Sequence, residues 1–195
     1  MDIIAVDQSL SCTGLCVHFE NKETPYTIRT ASSTSKSIPE GVPQFDTIEE
    51  RIEYISRSIL PLWSVNNAHY VLESLSYGSI GNATRDLAML VGAITTSLLQ
   101  AGVSRENIFF YTPQTLKSFM RNKLPLEGQT VIGESGKLLK IKMDKKLMVE
   151  AAKSCCPEGY FDGYTMSGKN GGLGDIADAY GLYLLHKHNL ENLNK

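Results

Sequence analysis

This sequence predicts a mixed α/β fold, in which an antiparallel three-stranded start leads into parallel strands alternating with helices. Three features predict it. Short β-rich runs open the chain, separated by turn residues. A capped run with helical spacing follows them. From there to the C-terminus, strand-like and helix-like segments alternate, which places helices over a sheet.

Residues 2–7 are apolar and β-branched and close on an acid, the pattern of a buried strand. Residues 14–20 read as a second strand, Asn21-Lys22 as its turn and residues 25–31 as a third, giving a meander. Residues 32–44 are rich in Ser, Thr, Pro and Gly and read as a loop. Thr47-Ile48-Glu49-Glu50 matches a capping box, and Ile48, Ile52, Ile55 and Ile59 repeat at helical spacing. The helix spans about 46 to 60 and is stopped by Pro61. His69 to Glu73 reads as a strand that again ends in an acid, and residues 74–83 as a polar loop. A second helix spans about 84 to 100, with Gly102 as its stop. Asn107 to Tyr111 is a further strand, and Thr112-Pro113 opens a short helix to about Met120.

Residues 122–143 hold two short apolar runs, Thr130 to Ile132 and Leu138 to Ile141, around Glu134-Ser135-Gly136, which fits a projecting β-hairpin. Asp144 caps a helix through about Cys155, and residues 157–174 form a loop. The last helix starts near Gly174-Asp175 and reaches about His188. From Asn189 the tail reads as frayed, and the His-rich stretch just before it, His186 to His188, as solvent-exposed. The expected organisation is one domain over residues 1–190, a basic hairpin inserted at 122–143 and a polar tail at 191–195.

The composition excludes several classes. With 195 residues, 42% hydrophobic and 21% charged, the chain is ordinary globular material that needs no staples for its core. It lacks the apolar run of about 18 residues that a membrane helix needs. Its N-terminus lacks a signal-peptide pattern, so a soluble, intracellular protein is expected. The four cysteines, Cys12, Cys16, Cys155 and Cys156, form no CxxC pair and read as reduced thiols. The net charge of −2 conceals an asymmetry. Residues 114–153 carry nine basic and four acidic side chains, a net +5, against −7 elsewhere. That stretch is equally consistent with a phosphate-tracking surface and with a solvated lysine-rich hairpin.

The candidate chemistry lies in acids. Asp7 and Glu73 each close an apolar strand, where ligands of α/β sheets collect. Asp175 and Asp178 lie three residues apart, on one face of a helix start. Paired acids there also serve as ordinary caps favoured by the helix dipole. The small residues around them, Gly174, Ala177, Ala179 and Gly181, point instead to close packing. Four converging carboxylates suit hard divalent cations, and two such ions about 4 Å apart support phosphodiester hydrolysis.

Asp7-Gln8-Ser9-Leu10-Ser11-Cys12-Thr13-Gly14, then Glu73 closing a strand, then Gly174-Asp175-Ile176-Ala177-Asp178-Ala179 resemble the RuvC family of Holliday junction resolvases, most closely its phage-encoded members. The resemblance implies a ribonuclease H-like fold, a mixed five-stranded sheet flanked by helices, and a homodimer. It implies that Asp7, Glu73, Asp175 and Asp178 hold Mg²⁺, with Mn²⁺ as a substitute. By similarity, Lys117 matches a basic residue in the helix after the fifth strand. Lys146, or its neighbour Lys145, matches a lysine opening the next helix. Arg121 and Lys123 join these as expected DNA contacts.

The sequence departs from the bacterial pattern in three places. Ser9 replaces a glycine. Ser76 stands where the family places an aromatic that stacks on an unpaired base, and Tyr77 beside it fits that role and an ordinary buried or surface tyrosine equally well. The segment 122–143 is longer. The small face of the second helix, Ala88, Gly92 and Ala93, fits a dimer interface and ordinary core packing equally well.

The implied activity is that of a crossover junction endodeoxyribonuclease. It would cut four-way junctions by paired symmetric nicks in phage DNA recombination, replication and genome processing, in the cytoplasm of the host. A broader flap and fork endonuclease and a non-catalytic branched-DNA-binding module are the alternatives. All four acids being present speaks against the last.

Overall fold

The computed structural model of the chain describes residues 1–59, 67–75, 81–133 and 137–193. Strand β1 (Ile3–Asp7) lies at the centre of a five-stranded sheet. It pairs antiparallel with β2 (Cys12–Phe19), which pairs antiparallel with the edge strand β3 (Lys22–Arg29). The short strands β4 (Ala31–Ser32) and β5 (Gln44–Phe45) form a separate parallel pair. On the other side of β1, β6 (His69–Glu73) and then β7 (Ile108–Tyr111) run parallel to it. The order β3-β2-β1-β6-β7 is the mixed sheet that the sequence pattern predicts.

Helices cover both faces, and strand alternation decides which side chains meet them. Ile4 and Val6 of β1, with Tyr70 and Leu72 of β6, face α1 (Ile48–Ile59) and α2 (Asn82–Gln100). Ile3, Ala5 and Val71 face α3 (Pro113–Arg121), α4 (Lys145–Lys153) and α5 (Leu173–Leu193). By the same parity, Asp7 and Glu73 at the strand ends share the α5 side.

The expected caps are in place. Thr47 Oγ1 accepts from the Glu50 amide at 3.2 Å, and the Glu50 carboxylate accepts from the Thr47 amide at 3.0 Å. Thr112 and Asp144 cap α3 and α4 by accepting from the amides of Thr115 (3.1 Å) and Leu147 (2.9 Å). Gly102 follows α2 in the left-handed region, with φ +90°.

Helix α5 is buried nearly all round along its first 14 residues, as befits a helix inside the molecule rather than on it. It sits unusually close to the sheet. A Cβ on Gly14 would lie 2.2 Å from the Asp175 carbonyl oxygen and 2.7 Å from the Ile176 nitrogen. A Cβ on Gly181 would lie 2.9 Å from Leu116 Cδ1. Bare α-carbons at these two points let α5 press against β2 and α3.

Three expectations change. The first hairpin turns at Glu20-Asn21, one residue earlier than expected, with φ 49° and 61°. A two-residue turn with both residues left-handed matches the twist of the strands, so β2 and β3 pair right up to it. Pro25 is tolerated inside β3 because β3 is an edge. Helix α5 does not fray at Asn189 but continues to Leu193, because Leu190 packs against the core and Asn189 Nδ2 donates to Tyr111 Oη at 3.1 Å. Nor are the last histidines all exposed. His186 is buried, with its Nδ1 2.9 Å from Tyr111 Oη and its Nε2 2.8 Å from His69 Nδ1. Burial, reinforced by His69, pulls the His186 imidazole down to about 4 and keeps it neutral.

On α2, Leu90, Ile94 and Leu98 make the core contact. Ala93 packs partly against that core, whereas a Cβ on Gly92 would meet nothing within 4 Å. Core packing therefore accounts for Ala93 and not for Gly92. Pro61 and the loop residues Ser76 and Tyr77 lie outside the described residues.

Gly14→Ala tests the seating of α5. Replacing glycine in a permissible conformation normally stabilises by about 0.4–1 kcal/mol. Here the added carbon collides with backbone, which cannot rotate away, and overpacking costs about 1–3 kcal/mol. Urea denaturation is expected to show a loss near the upper end of that range. A neutral or stabilising effect would mean that α5 does not rest on Gly14.

Candidate active site

Four acids reach one place by three routes. Asp7 ends the central strand, and Glu73 ends its parallel neighbour. Asp175 and Asp178 come from the first turns of α5, pressed onto β2 at Gly14, which is the register partner of Asp7. Their proximity shows in their electrostatics. Burial pushes the Asp7 carboxyl well above its usual range, and the charges of Asp178, Glu73 and Asp175 push it further. Burial and Asp178 raise Glu73 to about 7, against the opposing charge of Lys117. Burial raises Asp178 to about 6, with Lys145 and Lys117 opposing and Asp175 adding.

Two lysines face this acidic cluster. Lys145 Nζ donates to Asp175 Oδ1 at 2.8 Å. Partial burial pulls its ammonium down, but the hydrogen bond and charge of Asp175, with Asp7 and Asp178 behind it, leave it raised. Lys117, on α3, acts on Glu73 and Asp178 through its charge. Of the two lysine candidates at the start of α4, Lys145 is the one that contacts an acid of the cluster. Asp144 caps the helix, so adjacent residues 145 and 146 point about 100° apart. Both lysines are exposed, and it is Lys145 whose ammonium reaches Asp175.

The remaining basic candidates divide. Arg121 Nε donates to the Ile141 carbonyl at 2.9 Å, fastening the far end of the hairpin segment to α3. Lys123 lies 4.9 Å from the centre of the Phe119 ring. Lys117 and Arg121, with Lys140 and Lys142, line an open groove of about 940 Å³ beside α3. Lys123 is not among its lining residues.

Sequence reasoning missed two positioning residues. Gln8 is buried, and its side-chain amide brackets the backbone of Glu73: Nε2 donates to the Glu73 carbonyl, and Oε1 accepts from the Glu73 amide at 3.3 Å. It thus ties the end of β6 to the end of β1. Cys12 donates its thiol to Asp175, and burial together with that carboxylate pushes the thiol up to about 12. Both sit between motif residues, a placement that gave no signal of its own. Ser9 closes the β1–β2 loop, its Oγ accepting from the amides of Ser11 (3.3 Å) and Cys12 (3.4 Å).

The site is short of positive charge. Asp178 Oδ1 is buried without a hydrogen-bond partner, facing other acids. Among the described residues no three acidic, histidine or cysteine side chains are grouped tightly enough to ligate one ion as they stand. The donor set, all carboxylate oxygen with an orphaned buried acceptor, nevertheless fits a hard divalent cation. All four cysteines are free, and among the described residues no helix is long and apolar enough to cross a membrane.

No protein-family model and no curated protein matches this chain. Solved structures do. Thermus thermophilus RuvC in complex with a Holliday junction substrate is 14% identical, with a TM-score of 0.54 over 98% of this chain and 95% of that one. A second Thermus thermophilus RuvC structure gives 14% and 0.55 over 98% and 96%. The yeast mitochondrial Holliday junction resolvase gives 10% and 0.54 over 97% and 80%. At such identity the likeness establishes the fold: the chain has the ribonuclease H-like fold of RuvC.

The raised acids carry a stability signature. A carboxyl whose folded value lies above its unfolded value, about 4, stabilises most below pH 4 and loses that contribution as pH rises through the folded value. For Glu73 and Asp178 that window runs from about 4 to about 7. In chelator at pH 8, Asp7→Asn is therefore expected to melt at a higher temperature than the wild type, by the equivalent of about 1–3 kcal/mol. The gap should close by pH 5, and Mg²⁺ should raise the melting temperature of the wild type more than that of the variant. A variant less stable than the wild type at pH 8 would contradict the repulsion.

Proposed function

We propose that this protein is a Mg²⁺-dependent, structure-selective DNA endonuclease that resolves four-way junctions by paired symmetric nicks. The observation that carries this reading is the convergence of Asp7, Glu73, Asp175 and Asp178 beside Lys145 and Lys117, the latter also lining a groove of cationic side chains. The fold supports it, since Thermus thermophilus RuvC and the yeast mitochondrial enzyme are described as acting on such junctions. A role in phage DNA recombination and genome processing, in the host cytoplasm, accords with it.

Asp7, Glu73, Asp175 and Asp178 would hold Mg²⁺, or Mn²⁺ in its place, which supplies the Lewis-acid chemistry for hydrolysing a phosphodiester. The chain's own residues do the rest. Gln8 and Gly14 fix the directions from which the carboxylates approach. Lys117 contacts the scissile or a flanking phosphate and offsets charge that develops on it. Lys145 holds Asp175 in its present direction and would be released toward phosphate if that carboxylate held a cation. Lys117, Arg121, Lys140 and Lys142 track the backbone of an arm, a sequence-independent contact.

A four-way junction has two-fold symmetry, and a two-fold dimer would present two such sites to it. The open surface of α2 around Gly92 is the proposed dimer face.

The test is cleavage of a synthetic immobile four-way junction, with linear duplex and a flap as controls, in Mg²⁺ and in EDTA. Paired symmetric nicks that need Mg²⁺ and fall at least about a hundredfold in Asp7→Asn are expected. Lys117→Ala is expected to lower the rate by roughly tenfold to a hundredfold. Tight junction binding without cutting would reduce the protein to a structural binder. Equal cutting of flaps would keep the chemistry and remove the junction specificity.

A further inference from the structure

The hairpin that follows α3 is the least explained part of the molecule. Strands β8 (Thr130–Ile132) and β9 (Leu138–Lys140) pair antiparallel, and all six of their residues are exposed. Four of the six are large and apolar. A two-stranded ribbon standing free in water is marginal, and exposing its apolar side chains gains it nothing.

Its base, in contrast, is firmly held. The Gln129 carbonyl accepts from the Ile141 amide at 2.9 Å, and Gln129 Nε2 donates to the Leu124 carbonyl at 2.8 Å. Arg121 grips the Ile141 carbonyl, and Leu124 and Met143 are buried in the core on either side. The hairpin is an arm with a rigid root.

The register gives the two faces different characters. Thr130 faces Lys140, Val131 faces Leu139, and Ile132 faces Leu138. Opposed residues share a face and alternate along the strands, so the Ile132–Leu138 pair lies on the same face as Lys140. Lys140 lines the groove that holds Lys117 and Arg121. That face thus carries a cation at its root, beside the groove, and the two most exposed apolar side chains of the ribbon further out, Ile132 at 78% and Leu138 at 72%. A cross-strand contact between them would hide more of each. Cations that hold a phosphate backbone and an apolar pair just beyond them match a DNA strand whose bases have been opened to contact.

We propose that the Ile132–Leu138 pair is a wedge that packs against unstacked bases at the branch point, while Lys140 and Lys142 hold the flanking phosphates. This rests on the endonuclease reading and adds to it the element that tells a branch from a continuous duplex. In a duplex the bases are stacked, and the apolar pair has nothing to cover. At a branch the terminal base pairs expose their faces, and an apolar side chain inserted there replaces stacking that the junction has already lost. The occupant is nucleobase surface, not a second copy of this chain, because Lys140 shares the face of the pair and, with Lys142, lines the cationic groove at its root.

The experiment places 2-aminopurine in the base pair next to the branch of a four-way junction and follows its fluorescence, which rises on unstacking. Protein is added to saturation in an Asp7→Asn background with Mg²⁺. Binding of this parent to the junction is measured first; if there is none, the endonuclease reading fails and the wedge with it. Given binding, the parent is expected to raise the signal and Ile132→Ser/Leu138→Ser to abolish the rise. The preference for junction over duplex should fall about tenfold, the range of one lost base-stacking contact. Ile132→Phe/Leu138→Phe should retain the rise. A full rise with the serine variant would overturn the proposal, and so would a change in oligomeric state caused by that variant, which would make the hairpin a contact between copies. Ile132 and Leu138 are exposed, and parent and variants share the Asp7→Asn change, so the comparison is made on the same folded chain.

Discussion

The seating of α5 on the bare α-carbon of Gly14 is the constraint on which the rest of this structure depends. The sheet ends two neighbouring parallel strands in acids, but strand ends alone bring together only Asp7 and Glu73. The other pair, Asp175 and Asp178, arrives because the first turn of α5 meets β2 backbone to backbone at the register partner of Asp7. A side chain there would lift the helix and move two carboxylates away from two others. The positive end of the helix dipole points at the same place and makes the gathering of negative charge less costly.

This arrangement stores repulsion. Each acid of the cluster that shows a displaced value is displaced toward the neutral form, first by burial and then by its companions. A core that sought only stability would not bury these groups together, since isolated buried charge is among the most expensive features of a fold. Lys145 and Lys117 relieve part of the cost from the rim. Such tension separates this cluster from an ordinary helix cap.

Much of this was legible in the sequence, for definable reasons. Strand parity is visible in Ile3-Ile4-Ala5-Val6-Asp7 and in His69-Tyr70-Val71-Leu72-Glu73, and it sets both acids on one side of the sheet. The three-residue spacing of Asp175 and Asp178, with small neighbours, announced a closely packed helix start. The caps at Thr47, Thr112 and Asp144 stood where the local code put them. What escaped depends on tertiary contact. No pattern says that Gln8 will bracket the backbone of Glu73, or that Cys12 will donate to Asp175, because each partner is far away in sequence. The choice of Lys145 over Lys146 turns on about 100° of helical rotation, which only the packed helix fixes. The buried histidine pair was misread because His186 lies in a run of polar residues that resembles a solvent-exposed tail; its partners, His69 and Tyr111, come from two distant strands.

The central claim is that the four carboxylates form one cation site. The most direct measurement is anomalous diffraction from crystals of the wild-type chain grown with Mn²⁺. The account predicts anomalous density bounded by Asp7, Glu73, Asp175 and Asp178, with Lys145 withdrawn from Asp175. No density there in crystals that bind Mn²⁺ elsewhere, with Lys145 still holding Asp175, would contradict it and leave the acids as a structural charge cluster.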